Sequence, residues 1–187
     1  MGIFQNLFKS VKNDQNKTYT QFQEIGTYKS YFGSFGNNIY MSDDVRSCIR
    51  ALSEHTSKAN PRCTDKNVYN LLSLRPNKFM NGKDFLAKTR NLLEIYNTAF
   101  IFIDRDQRGQ TVALYPIPYQ TFEAVQYKGD LFVQFQFAGT GVQKLTVPWA
   151  DLAVLRKDYL MSDIAGESNA PLLGTLEIQR TLDQGLQ

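Results

Sequence analysis

The hydrophobic pattern of the chain changes its period at residue 97, and this change constrains the fold more than any other feature. Before it, apolar residues recur every three or four positions; after it they alternate with polar residues, as in "LFVQFQF" at 131–137. One face of a helix repeats about every 3.6 residues and one face of a strand about every 2. The sequence therefore predicts an α+β fold: an N-terminal arm, two to three helices, an antiparallel β-meander of about six strands and a C-terminal helix.

The first two helices are predicted between residues 42 and 75. Ser42 is a suitable N-cap, since Asp43 and Asp44 follow it in the turn where the helix dipole favours negative charge. The apolar stripe of this helix consists of Val45, Cys48, Ile49 and Leu52. Cys48 is therefore predicted to be a small core residue. The segment "NVYNLLSL" forms the short second helix, which the following "RPN" stops.

Asn81 is the predicted N-cap of a third, longer helix. Its apolar face would consist of Phe85, Leu86, Thr89, Leu92 and Leu93. Lys83, Lys88 and Arg90 are predicted to point mostly away from that face, into solvent. No aromatic residues interleave with these basic side chains, as they do at single-stranded nucleic-acid sites.

The strands are predicted from residue 97 onward. "NTAFIFID" and "TVALYPI" form a first pair, and "TFEAVQY" and "LFVQFQF" form a second pair joined at Lys128-Gly129-Asp130. A turn at "AGTG" leads to "VQKLTV", and "DLAVLR" is the last short strand. The connections are tight and carry glycine, which is typical of hairpins.

Residues 1–41 differ from the rest. Positions 3–11 place Ile3, Phe4, Leu7, Phe8 and Val11 on one helical face, beside Lys9 and Lys12. Residues 13–40 are polar with scattered aromatic residues, and we interpret them as a flexible or extended arm that lies on something, for instance a neighbouring subunit. Residues 42–187 form the folded domain. In its last helix Ser168 or Asn169 would be the cap and Pro171 would lie in the first turn. The chain stops within this helix, so the domain is expected to be truncated there.

The charge distribution leaves a binding function open. Residues 46–90 hold ten Lys/Arg against three Asp/Glu, while the whole chain has a net charge of +3. Such a segment could face phosphate, or its charges could be the solvated sides of helices. One alternative function is therefore a nucleic-acid or membrane-surface adaptor, acting through residues 1–12 or the basic helices. No apolar run approaches the length of a membrane span, no signal peptide is present, and two cysteines without metal-ligand spacing fit a reducing cytoplasm.

The strongest candidate for chemistry is Asp104 with Asp106. Residues i and i+2 of a strand share a face, so two carboxylates could hold one cation for phosphoryl transfer. A metal site needs further ligands, but the candidates Glu123, Asp130 and Asp151 occur singly and His55 is the only histidine. "RDQRGQ" also has the composition of a hairpin tip, with Gly109 suited to positive φ. We predict a hairpin turn there, no enzyme activity, and no catalytic, cofactor or metal residues; no nucleic-acid-binding residue can be named.

The order of several phrases resembles the portal proteins of tailed bacteriophages, the head-to-tail connectors. The phrases are "MGIFQNLFK", "DDVRSCIRALSEHTSKANPR", "NVYNLLSLRPN", "FLAKTRNLLEIYNTAFIFIDRDQRGQTVALYPIPYQTFEAV", "DLAVLR" and "IAGESNAPLLG". The resemblance covers nearly the whole chain from about residue 42. Three departures stand out: Tyr96 replaces a usual Gly, Val154 replaces a common His, and two extra residues separate Ser168 from Pro171.

This resemblance implies a structural subunit without chemistry of its own. It would belong to a homo-oligomeric ring, typically a dodecamer, at a capsid vertex of the virion, after assembly in the host cytoplasm. Double-stranded DNA would pass through the ring during packaging and ejection. The implied partners are the capsid protein, the terminase and a head-tail adaptor, with no membrane. Portal proteins are longer than this chain, so the chain would be their N-terminal wing portion.

Overall fold

The structure is a computed structural model that describes most of the chain from residue 42 to residue 158. The residues described are 23–26, 42–137, 144–158, 160, 162–167, 169, 171, 174–178 and 181. The amphipathic segment at 1–12, most of the predicted arm and the "AGTG" turn lie outside them. None of the described helices is long and apolar enough to cross a membrane.

Three helices precede the main run of strands, as predicted. They are α1 (Asp43–Ser57), α2 (Lys66–Ser73) and α3 (Gly82–Tyr96). Asn81 is the N-cap of α3, and its side-chain oxygen accepts a hydrogen bond from the Asp84 amide at 2.9 Å. Ser42 is the N-cap of α1, but its side chain makes no capping hydrogen bond. Asp65, which the sequence did not single out, caps α2 through the amides of Asn67 and Val68.

Seven strands are described, and six of them follow α3. They are β1 (Gln23–Gly26), β2 (Thr98–Arg105), β3 (Thr111–Pro116), β4 (Thr121–Tyr127), β5 (Asp130–Gln136), β6 (Lys144–Pro148) and β7 (Leu152–Arg156). All pairings are antiparallel. Residues 174–178 near the end of the chain are helical. The predicted α+β class and C-terminal helix are thus confirmed.

The strands form two sheets. One sheet has four strands in the order β1-β4-β5-β6, and the other has three in the order β3-β2-β7. After the β2–β3 hairpin the chain crosses to the four-stranded sheet, and a three-residue 3-10 turn at Trp149–Asp151 brings it back beside β2. β1, which falls within the predicted arm, pairs with β4. That part of the arm is extended and lies on its own domain.

The central strand β2 separates two apolar cores. Phe100 on one of its faces packs with Tyr119, Phe122 and Phe135 of the four-stranded side, with ring centroids 4.8 to 5.4 Å from Phe100. Ile101 on the other face packs with Phe85 of α3 and Leu114 of β3. Because neighbouring residues of a strand point to opposite faces, one strand supplies both cores. The layers are therefore α1, then α3, then the three-stranded sheet, then the four-stranded sheet.

The outer edge of β3 is closed by the chain that connects α2 to α3. The Leu114 amide donates to the Pro76 carbonyl at 2.8 Å, and the Asn77 side-chain amide donates to the Leu114 carbonyl at 2.7 Å. The Asn67 side chain of α2 donates to the Thr111 carbonyl at 2.7 Å. These bonds replace a neighbouring strand along β3.

The prediction that Cys48 is a core residue is wrong, because its thiol is exposed. α1 packs against α3 through a line that contains Ile49 and Ser53, both buried. Cys48 and Leu52 lie on the flank beside this line, and Leu52 keeps 42% of its surface exposed. The apolar stripe seen in the sequence is therefore wider than the contact that α1 makes with α3.

The prediction for the basic residues of α3 holds only for Lys83, which is exposed. Lys88 is half-buried, and burial lowers the pKa of its amine. Arg90 is also half-buried and forms an ion pair with Glu94 one turn further along. These two side chains are covered because α3 has neighbours on more than one side, α1 on one and strands on another.

Candidate functional site

Asp104 and Asp106 lie at the end of β2 and in the tip of the β2–β3 hairpin, as the turn hypothesis predicts. The Asp106 carboxylate accepts hydrogen bonds from the amides of Arg108 and Gln110, both at 2.8 Å. Gly109 has φ +78°, the left-handed conformation that glycine adopts most readily. Asp106 thus holds the turn together with its own side chain, as Asx residues commonly do.

Asp104 is in a different environment from Asp106. Its side chain is half-buried beside Tyr115, and burial raises the pKa of the carboxyl group. Burial, and then the nearby Asp104 charge, raise the pKa of Tyr115. Within the described ranges, no group of three His, Cys, Asp or Glu side chains is placed to hold a metal ion. His55 is exposed in the last turn of α1, and Cys48 and Cys63 are free exposed thiols.

An open polar groove of about 530 Å³ lies between α1 and α3. At its floor the Ser53 hydroxyl contacts the Asn91 side chain and donates to the Ile49 carbonyl at 2.8 Å. Arg50 on its rim pairs with Glu54 at 2.9 Å, and α3 contributes Lys83 and Asp84 to the lining. The rim charges are of both signs, so the groove has no strong preference for anions.

A connected cluster of polar groups lies where α3 meets β2, and the sequence analysis did not identify it. Asn97, 1% exposed, ends α3 in the left-handed conformation at φ 52°. Its side-chain amide donates to the Glu167 carbonyl and to the Asn169 side-chain oxygen, each at 2.7 Å. Its own carbonyl accepts from the Lys157 amide at 2.9 Å. One residue thereby connects the end of α3, the end of β7 and the segment that leads to the C-terminal helix.

Asn169 continues this cluster toward the C-terminal end of α3. Its amide group donates to the carbonyls of Glu94 and Ile95, at 3.3 and 3.5 Å. The last carbonyls of a helix have no partner within the helix, so Asn169 satisfies two of them. The sequence predicts that Ser168 or Asn169 caps the C-terminal helix. Ser168 lies outside the described residues, and the side chain of Asn169 bonds to Asn97, Glu94 and Ile95 at the α3–β2 junction.

Three further contacts fix the junction. The Gly166 amide donates to the Thr98 hydroxyl at 2.8 Å, and the Tyr119 hydroxyl donates to the Thr98 carbonyl at 2.8 Å. The Glu94 carboxylate, whose side chain is 8% exposed, pairs with Lys157 at 2.8 Å and with Arg90. Burial, and then Tyr96, raise the pKa of the Tyr119 hydroxyl well above its ordinary value, so it stays a neutral donor. We call Asn97, Thr98, Gly166, Asn169 and Glu94 the junction cluster.

One signal in the sequence could have pointed to this cluster. An Asn immediately after the last turn of a helix is, after Gly, the residue that most often adopts the left-handed C-terminal conformation. The bonds to Glu167 and Asn169 join residues about seventy positions apart. No local pattern specifies such contacts. The cluster holds two chain segments together and has no arrangement of acid, base and nucleophile.

Comparisons with known proteins also indicate a structural protein. The sequence profile described as "Phage portal protein" matches residues 43–185. No curated protein sequence matches the chain. Among solved structures, a chain in the neck of a native GTA particle computed with C12 symmetry is similar, with TM-score 0.64 and 12% identity over 82% of this chain and 42% of that one.

Two more solved structures are similar. One is from the virion of a native gene transfer agent particle, with TM-score 0.63 and 13% identity over 79% of this chain and 42% of that one. The other is from the neck of an empty GTA particle computed with C6 symmetry, with TM-score 0.64 and 14% identity over 86% of this chain and 49% of that one. The chain thus spans less than half the length of the chains it matches. At these identities the likeness establishes a common fold, and together with the profile match over 43–185 it shows that the chain belongs to the phage portal protein family.

Proposed function

We propose that the chain is the N-terminal part of a structural subunit of a portal ring at a capsid vertex of the virion. The observation that carries this is the family match over residues 43–185, supported by the fold shared with chains of particle necks. In this proposal residues 42–187 are the wing portion and residues 1–41 an attached arm. The ring would be a homo-oligomer, with a dodecamer as the first expectation because one related neck was computed with C12 symmetry.

The junction cluster suggests what the wing portion contributes mechanically. It fixes the segment before the C-terminal helix to the end of α3 and to β2 through hydrogen bonds to Asn97 and Asn169. A helix that starts from such an anchored segment has its direction set by the body of the domain. In the proposed ring, the position of the wing would therefore determine the position of whatever follows residue 181.

The test is to determine the gene sequence beyond the codon for Gln187 and to purify the complete gene product. We expect the gene to continue, and the product to form closed rings visible by negative-stain electron microscopy. A complete product that stays monomeric at every concentration and salt tested would contradict the proposal. Double-stranded DNA passage and contacts with the capsid protein, terminase and head-tail adaptor are further parts of the same proposal, each testable by co-purification with the ring.

We also infer that the chain is not an enzyme. The Asp106 carboxylate is occupied by two backbone amides of its own turn, which supports a structural role for the pair Asp104 and Asp106. Calorimetric titration with Mg²⁺ and Mn²⁺ tests the inference, and we expect no stoichiometric binding. Stoichiometric binding that Asp106→Ala abolishes would revive a metal-dependent activity.

The adaptor alternative receives less support from the geometry. Of the three basic residues proposed for it, only Lys83 is exposed, while Lys88 and Arg90 are half-buried and Arg90 is paired with Glu94. Reversing the charge at Lys83, Lys88 and Arg90 would support the adaptor function only if it removed a salt-sensitive binding to nucleic acid or lipid.

A further inference from the structure

The exposed side of α2 and the turn after it form a basic surface with apolar residues in it. Lys66 lies in the first turn of α2, and Leu74 at its C-terminal end keeps 69% of its surface exposed. In the turn, the Arg75 guanidinium donates to the Lys78 carbonyl at 3.1 Å, and the Lys78 amine lies 5.0 Å from the centre of the Phe79 ring. Phe79 is itself 48% exposed. We call Lys66, Leu74, Arg75, Lys78 and Phe79 the basic face of α2.

The three cations of this face have no carboxylate partner among the described residues. Lys66, Arg75 and Lys78 are all exposed, and none of them forms an ion pair there. The neighbouring Asp65 directs its carboxylate to two backbone amides of α2, as the N-cap of that helix. The basic face therefore presents three positive charges together with exposed apolar surface.

The segment that follows β7 has the opposite charge. Residues 158–167 contain three acidic residues, Asp158, Asp163 and Glu167, and no Lys or Arg. All three are exposed, and Leu160 between them keeps 86% of its surface in solvent. The Glu167 amide donates to the Asp158 carbonyl at 2.8 Å, which closes the segment into a loop. We call residues 158–167 the acidic loop.

The cations beside the acidic loop are less exposed than its carboxylates. Arg156 and Lys157 immediately precede the loop, and both are half-buried. Lys157 forms an ion pair with Glu94 at 2.8 Å, and the Arg156 guanidinium donates to the Asp163 carbonyl. The surface that the loop presents to solvent is therefore mainly negative.

The basic face and the acidic loop lie at opposite ends of α3. The Leu74 carbonyl accepts a hydrogen bond at 3.1 Å from the amide of Gly82, the first residue of α3. Asn97, directly after the last residue of α3, donates to the Glu167 carbonyl at 2.7 Å. A helix of 15 residues is about 22 Å long, which is further than two side chains can reach. The acidic loop therefore cannot neutralise the basic face of its own chain.

A ring of identical subunits needs two such surfaces on each copy. Its interfaces are heterologous, so each subunit contacts its two neighbours through two different surfaces. Opposite charges on these surfaces favour the head-to-tail arrangement and speed association. We propose that the basic face of α2 on one subunit packs against the acidic loop of the next copy of this chain, with Leu74, Phe79 and Leu160 between the charges. The inference rests on the proposed ring and adds the surfaces through which its subunits meet.

Zero-length cross-linking tests the contact directly. A carbodiimide activates a carboxylate, and a lysine amine in contact with it displaces the activating group as a urea and forms an amide bond. In rings of the complete gene product, peptide mass spectrometry should find Lys66 or Lys78 joined to Asp158, Asp163 or Glu167. The monomeric 187-residue chain should contain none of these bonds, because its own two surfaces are too far apart. Rings without such bonds, or the same bonds in the monomer, would overturn the proposal.

Charge reversal provides an independent readout. Lys66→Glu with Lys78→Glu changes the charge of the basic face from +3 to −1, and Asp163→Lys with Glu167→Lys changes that of the acidic loop from −3 to +1. Each pair gives the two surfaces the same sign, so each should lower the ring fraction by about tenfold or more. All four substitutions together restore opposite signs and should restore most of the rings. Rings from the fourfold variant would also show that neither pair prevents folding.

The matched control is Lys128→Glu with Lys144→Glu. Both lysines are exposed on the four-stranded sheet, and the change in net charge equals that of K66E/K78E. The ring fraction of this control should stay within about twofold of wild type. An equally large loss in the control would mean that net charge alone decides assembly, and it would overturn the proposal.

The remaining outcomes separate this contact from other partners. Loss of rings in K66E/K78E but not in D163K/E167K would mean that another anionic partner, such as nucleic-acid phosphate, covers the basic face. A fourfold variant that unfolds in urea like the wild type but forms no rings would mean that the two surfaces do not meet. Either result overturns the inference and leaves the ring itself standing. If the complete wild-type product forms no rings, the proposed function fails and this inference fails with it.

Discussion

Gly166 is the residue with the least room for a side chain in the junction cluster. A Cβ atom there would collide with the backbone carbonyls of Asn97 and Lys157, and backbone atoms cannot turn aside as the end of a flexible side chain can. We expect Gly166→Ala to lower the free energy of unfolding by about 2 kcal/mol or more, the range for forced overpacking. Gly174→Ala is the matched control, because nothing lies within 4 Å of the added methyl group. Urea denaturation of both variants checks the difference, and equal stabilities would contradict the close approach.

Asp104 gives a pH dependence whose direction follows from its burial. Burial raises the pKa of this carboxyl group above its ordinary value of 3.8, so between that value and the raised pKa the folded chain binds more protons than the unfolded chain. Stability contributed by Asp104 is therefore lost as the pH rises through this window. Asp104→Asn should remove the loss, and its gain in unfolding free energy should be larger at about pH 7 than at about pH 4. A gain that is independent of pH would show that burial does not perturb Asp104.

The N-caps of α1 and α3 differ in their hydrogen bonds, and the difference should be measurable as a difference in stability. The side chain of Asn81 bonds to the Asp84 amide, whereas the side chain of Ser42 makes no capping bond. Asn81→Ala should cost about 1 kcal/mol, the usual value of an N-cap, and Ser42→Ala should cost clearly less. Thermal unfolding of the two variants is the measurement. A larger loss for Ser42→Ala would mean that the Ser42 hydroxyl caps α1 in solution.

The elements themselves follow from the sequence, but their arrangement follows only in part. Asn81 and Ser42 are recognisable as caps, and the alternation of "LFVQFQF" is explained by Val133 and Phe135 facing the core. The division of the strands into two sheets is decided by a long-range pairing of β2 with β7, which no local period reveals. The wrong prediction for Cys48 has a related cause. A helical period shows which residues of α1 lie in one apolar stripe, but the width of its contact with α3 decides which of them are buried.

The affinity for DNA should distinguish the 187-residue chain from the proposed ring. The rim charges of the α1–α3 groove are of both signs, and of the basic residues of α3 Lys83 is exposed while Lys88 and Arg90 are half-buried. We therefore expect the isolated chain to bind duplex DNA only in the non-specific range of about 10⁻⁴–10⁻⁶ M at physiological salt. Fluorescence anisotropy with a labelled duplex measures this. Nanomolar binding would mean that the 187-residue chain alone carries a DNA site.

The closed edge of β3 has a consequence for solubility. An open sheet edge is a template on which another chain can add a strand, and in the proposed ring copies of the chain would lie next to one another. Pro76, Asn77 and Asn67 occupy three of the backbone hydrogen-bonding groups of β3, the Leu114 amide and the carbonyls of Leu114 and Thr111. Asn67 and the turn between α2 and α3 therefore protect this edge against aggregation, and in the proposed ring neighbouring subunits would meet through side chains and not by pairing strands along it.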